Sequence, residues 1–159
     1  MDGLTPSALQ DELIEMIKEE VKDLYFENKE GSKVLMQVYA QDIPLKATDT
    51  DNVPVPYTVV RILSGRTSLD GRANNPESVR ILILIGVKNL SKSGSANKDL
   101  LTCMQRIKQR LIERPHTKHF ALASDIDWGI DDESPYHYAF GGMDTTWKAR
   151  QIQREGRFT

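Results

Sequence analysis

Hydrophobic and polar positions along the chain change period several times, and each change marks an element. After Thr5-Pro6, an N-cap followed by proline at the first helical position, Leu9, Leu13, Met16, Ile17, Val21 and Leu24 recur at helical spacing. Ser7 with Gln10 offers a competing capping box. Asp11, Glu12, Glu15, Glu19 and Asp23 fall on the opposite side, so the pattern predicts a long amphipathic helix with an acidic outer face. Asn28 to Ser32, with Gly31 as breaker, ends it.

The period then falls to two. Lys33 to Ala40 alternates, with Val34, Met36 and Val38 on one face and Leu35 and Tyr39 on the other. A proline-punctuated connection, Pro44 to Pro56, leads to the β-branched run Tyr57 to Leu63. Val79 to Val87 is apolar on both faces, the pattern of a central strand covered above and below. Ser64 to Pro76 between them is rich in Gly, Asn and Ser and reads as a flexible loop.

Beyond a polar connection at Ser91 to Ala96, a second helical stripe runs through Leu100, Leu101, Met104, Ile107 and Leu111 and stops at Pro115. His119 to Ile130 reads as one strand, followed by an acidic turn from Asp131 to Pro135. Tyr136, Tyr138 and Phe140 alternate with His137 and Ala139. Gly141-Gly142 suggests a bulge, after which Met143, Thr145 and Trp147 alternate again. The predicted order is α-β-β-β-α-β-β, an α+β fold with a mostly antiparallel sheet and two helices.

That order poses a physical problem. If both helices lie on one face, Leu82 and Leu84 on the other stay wet, forfeiting about 1.5–3 kcal/mol per side chain. A helix on each face, a curled sheet or a neighbouring subunit would resolve it.

At 159 residues and 18.0 kDa the chain reads as one domain, 1–159, with a basic tail from about 148. No apolar run reaches the ~20 residues of a transmembrane helix. The acidic amino terminus also lacks a signal-peptide pattern, so a cytosolic protein with no membrane partner is expected. The single cysteine, Cys103, excludes an internal disulfide framework. Net charge is −2, which argues against a chain built to grip nucleic acid, and no sequence-specific nucleic-acid partner is expected.

The charges are segregated. Residues 1 to 32 hold nine acids and three bases, Lys98 to Lys118 six bases and two acids, and Asp125 to Glu133 five acids and no base. Separated patches of opposite sign suit self-association or docking. Candidate inter-subunit contacts are the acids Glu12, Glu15 and Glu19, the turn Asp131, Asp132 and Glu133, and the basic pair Arg106 and Arg110. Arg66 and Arg72 in the Ser64 to Pro76 loop are candidates for a further partner.

Chemistry finds little to work with. Asp125 and Asp127 share one face of a strand and, with Asp131, Asp132 and Glu133, supply hard oxygen ligands of the kind magnesium or calcium takes, without EF-hand spacing. His116-x-x-His119 lacks the glutamate of a zinc-protease helix. Arg106, Arg110 and Arg114, four apart, have no interleaved aromatics for base stacking. No catalytic residue, cofactor or metal site is assigned.

Two stretches carry a resemblance: Val53-Pro54-Val55-Pro56-Tyr57-Thr58-Val59-Val60-Arg61, and the pattern P-Y-x-Y-x-F-G-x-M-x-x-x-W from Pro135 to Trp147. Together with an apolar strand and a helix closing in a basic turn, they resemble the tail terminator, or tail-completion, proteins of long-tailed phages and prophages over about residues 5 to 152. The resemblance implies an α+β subunit that assembles into a ring, commonly a hexamer. Such a ring caps the tail tube, halts its polymerisation and joins tail to head, with the tail tube protein and a head–tail connector as partners. It also implies a virion component assembled in the host bacterial cytoplasm, with neither catalysis nor cofactor. Three alternatives stay open: another head–tail connector or neck component, a metal-dependent nuclease using Asp125, Asp127 and Asp131, and a nucleic-acid-binding module.

Overall fold

A computed structural model describes residues 5–43, 54–69, 77–90, 95–133 and 137–150. Helix α1 spans Pro6–Val21, and its start is the expected one. Thr5 is extended (φ −90°, ψ 153°), and its Oγ1 accepts from the Ala8 amide at 3.1 Å while Pro6 opens the helix. Gln10 is not part of a capping box; its Nε2 donates to the carbonyl of Val60 at 2.7 Å, tying helix to sheet.

The helix ends at Val21, earlier than the apolar stripe suggests. Tyr25–Glu27 is strand β1, paired antiparallel with β2, Lys33–Leu35. Phe26 points into the core, 3% exposed, and Glu27 accepts from the Leu90 amide at 2.9 Å. The turn between these strands is built by Asn28, whose Oδ1 accepts from the amides of Glu30 and Ser32, and by Gly31 at φ +87°.

Buried Met36 then divides the expected Lys33 to Ala40 strand in two, because β3, Gln37–Ala40, changes partner and runs parallel to β4, Tyr57–Thr67. Strand β4 is longer than its apolar core. Ser64 to Thr67, expected in a loop, continue the strand against β5, Glu77–Lys88, after a register shift at Leu63. Arg66 therefore sits on a strand, and Arg72 lies outside the described residues.

Helix α2, Ser95–Glu113, buries Leu100, Cys103, Met104, Ile107 and Leu111; it starts at Ser95, inside the stretch read as a connection. The expected strand from His119 to Ile130 is two strands, β6, Phe120–Leu122, and β7, Asp127–Ile130. Both pair antiparallel, one after the other, along β8, Tyr138–Ala149, whose other edge pairs with β5. The fold is α+β, with eight strands among the described residues. Tyr136 and residues 151–159 lie outside them.

Gly141-Gly142 is no bulge, since β8 keeps unbroken register with both β5 and β7 there. The glycines serve close approach instead. A Cβ at Gly141 would sit 2.7 Å from the Gly129 carbonyl oxygen and 3.1 Å from Met104 Cε; one at Gly142 would meet Leu84 Cδ2 at 2.9 Å. The single irregularity in the β4–β5 ladder is at Leu63.

The core lies between the helices and one face of the sheet. Val79, Ile81, Ile83, Ile85 and Val87 of β5, with Met143 and Trp147 of β8, meet Leu9, Leu13 and Ile17 of α1 and the buried stripe of α2 in one cluster. Trp147 is fully buried, and its Nε1 donates to Thr145 Oγ1 at 2.8 Å, which donates in turn to the Ile81 carbonyl at 2.9 Å. No described helix is long and apolar enough to cross a membrane.

Candidate assembly surface

Strand alternation sends every second residue away from the helices. Register aligns Tyr57, Val59 and Arg61 of β4 with Gly86, Leu84 and Leu82 of β5, and these with Phe140, Gly142 and Asp144 of β8. Tyr39 of β3 lies beside Val59, and Tyr138 beside Lys88. This second face belongs to neither helix. Leu82, Leu84, Tyr57, Tyr138 and Phe140 on it are half-buried.

The aromatics are organised. Tyr138 and Phe140 stack at 5.8 Å between ring centroids, Phe140 and Tyr57 lie tilted at 6.5 Å, and Lys88 Nζ sits 5.3 Å from the Tyr138 ring. Gly86 makes room for this cluster, because a Cβ there would fall 2.3 Å from Tyr57 Cε2. Burial pushes the Tyr57 phenol above its ordinary pKa, so the ring stays neutral and apolar in character. Charge lies at the rim. Arg80 grips both carboxylate oxygens of Asp144, at 3.0 Å and 3.2 Å from its Nε, and this holds the Asp144 carboxyl below its usual range. Arg61 reaches Asp42 at 3.1 Å.

The acidic and basic helix patches meet each other within the chain, because α1 and α2 lie side by side. Arg106 donates to the Glu20 carbonyl at 3.1 Å and to Asp23 at 2.8 Å, which holds the Asp23 carboxyl low. Glu12 accepts from the His119 amide at 3.0 Å and faces its ring at 3.2 Å, fastening the start of β6 to α1. Glu15, Glu19 and Arg110 line one cleft of about 560 Å³ with Arg114 and Lys118. Arg110, half-buried there, donates to the Arg114 carbonyl at 2.5 Å. Arg106 and Glu12 are thus engaged by their own chain.

Asp131, Asp132 and Glu133 are exposed after β7, with Asp131 accepting from the Glu133 amide at 2.9 Å. Asp125 and Asp127 share a cleft with Arg80, Ser124, Asp144 and Thr146, so the nearest third carboxylate is already held by a guanidinium. Among the described residues no group of three or more His, Cys, Asp or Glu is placed to hold a metal ion. Cys103 is fully buried with its thiol pushed up to about 12 by burial, which makes it a poor nucleophile at neutral pH. No family model matches the chain, and no curated protein matches it.

The aromatic face went unrecognised as a unit in the sequence. Leu82 and Leu84 stand out there, but Tyr57, Tyr138 and Phe140 join them only through the β4–β5–β8 register.

Proposed function

We propose that this chain is a structural subunit of a phage tail, of the tail-terminator kind, which assembles with copies of itself into a ring that caps the tail tube and joins it to the head. One observation carries this reading. Both helices cover the same face of the sheet, and the opposite face presents Tyr57, Leu82, Leu84, Tyr138 and Phe140, half-buried and covered by no described helix, a surface suited to a second copy. The resemblance adds to it. Its carboxyl-terminal pattern forms most of β8, where alternation sends Met143 and Trp147 inward and Tyr138 and Phe140 to the uncovered face.

The reading is tested by adding purified chain to polymerising tail tube protein and imaging in negative stain. Annular particles seated on tube ends, and tubes that shorten as the chain concentration rises, are the expected result. Tubes of unchanged length with bare ends would sink the assignment.

A further inference from the structure

Several strand edges are covered by no described strand, those of β2, β3 and β6 among them, and two others bear on assembly. One is β7: β8 pairs it on one side only, and all four of its residues are exposed, Trp128 at 51% and Ile130 at 36%. The other is the far half of β4. Strand β3 pairs only Tyr57 to Val60, and the Gln41 carboxamide takes the place of a strand at Ile62, accepting from its amide at 3.0 Å and donating to its carbonyl at 2.9 Å. Beyond that cap, Leu63 to Thr67 are all exposed, Leu63 at 42%. Exposed edges carrying large apolar side chains invite another strand.

Resting on the self-assembly reading above, we propose that β7 of one copy adds antiparallel to the Leu63–Arg66 edge of β4 in the next copy. Strand directions permit it: β4, β5, β8 and β7 alternate, so β7 runs opposite to β4, and a copy related by rotation presents the two edges antiparallel.

The faces agree as well. Past the bulge, Ser64 and Arg66 align with Arg80 and Ser78, on the face away from the helices. Asp127 and Gly129 align with Asp144 and Gly142 on that same face. One register then satisfies every position: Arg66 opposite Asp127, Ser64 opposite Gly129, Gly65 opposite Trp128 and Leu63 opposite Ile130. It joins an ion pair, an apolar pair and an indole beside a residue with no side chain. A one-residue slip would set Arg66 against Trp128 and reverse the faces of the whole strand.

Charge supports the same choice. Arg66 has no ion pair among the described residues, while β7 lies in an acidic run that includes Asp125, Asp131, Asp132 and Glu133. Within one subunit Gly129 is level with Val59, through Gly142 and Leu84, not with Ser64. Successive copies are therefore staggered along the strands, as in a closed, tilted sheet. Each copy uses two different edges, the heterologous contact that generates rings.

The test uses full-length Ser64→Cys and Gly129→Cys chains; a Cβ at Gly129 meets nothing within 4 Å, and buried Cys103, its thiol pushed up to about 12, stays silent. Under mild oxidation, disulfide-linked dimers are expected from the mixture of the two variants and not from either alone. Arg66→Glu is expected to move the association midpoint to about tenfold higher concentration, and adding Asp127→Lys to bring it back to within about threefold. Particles that form without a disulfide between the two substituted positions, cross-linking of either variant with itself, or no rescue by Asp127→Lys would overturn the pairing and leave self-assembly standing. A chain that never associates would overturn both.

Discussion

Trp147→Ala is expected to lower the unfolding free energy by about 3–5 kcal/mol, the cost of emptying a large aromatic site in a packed core. The ring is fully buried between β8 and the helices, and its Nε1 satisfies Thr145 Oγ1 at 2.8 Å. Deletion therefore opens a cavity and also removes one partner from a buried hydroxyl. Trp147→Phe separates these contributions: it keeps most of the packing and loses the hydrogen bond, for about 1 kcal/mol beyond the volume change. Urea unfolding midpoints for the two variants measure both. Wild-type midpoints in Trp147→Ala would show that the core does not close around this residue.

The second large effect concerns association. Leu84→Glu and Phe140→Glu place a carboxylate on the sheet face away from the helices, half-buried in the subunit. In the lone subunit each side chain can still reach water. Loss of aromatic stacking at Phe140 costs about 1 kcal/mol. In an assembly that dries this face, an unpaired carboxylate costs about 3 kcal/mol or more, roughly a hundredfold in affinity per contact. Thermal melting and sedimentation together check it: the melt is expected to move by a few degrees and the association to collapse. Association at wild-type strength in both variants would show that this face stays wet when copies join, leaving the strand edges to carry the contact alone.

Local periodicity carried much of the fold. The stripe from Leu100 to Leu111 and the stop at Pro115 locate α2 because a helix pairs with itself, and the doubly apolar β5 announces its central place. Failures come where partners are distant in sequence. Leu24, Tyr25 and Phe26 extend the apolar run of α1 without a break, and only the pairing with β2 makes Tyr25–Glu27 a strand. β6 and β7 separate because each finds its own place along β8. Gly141-Gly142 looks like a bulge in one dimension; in three it is where the β7 backbone, Leu84 and the α2 side chains come close.

The candidate surface divides the same way. Segregated charge was legible and invited an inter-subunit reading; that Arg106 reaches Asp23 and Glu12 faces His119 within the folded chain was not. Periodicity identifies a face and does not say which element lies against it. The exposed face of β5 posed the question from Leu82 and Leu84 alone, and β4 and β8 supply the aromatics that give it substance.

Sedimentation of the wild-type chain over a wide concentration range, alone and with tail tube protein, tests most directly whether copies of this subunit complete one another. The expected result is a mass that rises with concentration or on addition of tube from 18.0 kDa to a fixed multiple of it, with annular particles in the same fractions. A single species of 18.0 kDa under every condition would contradict it.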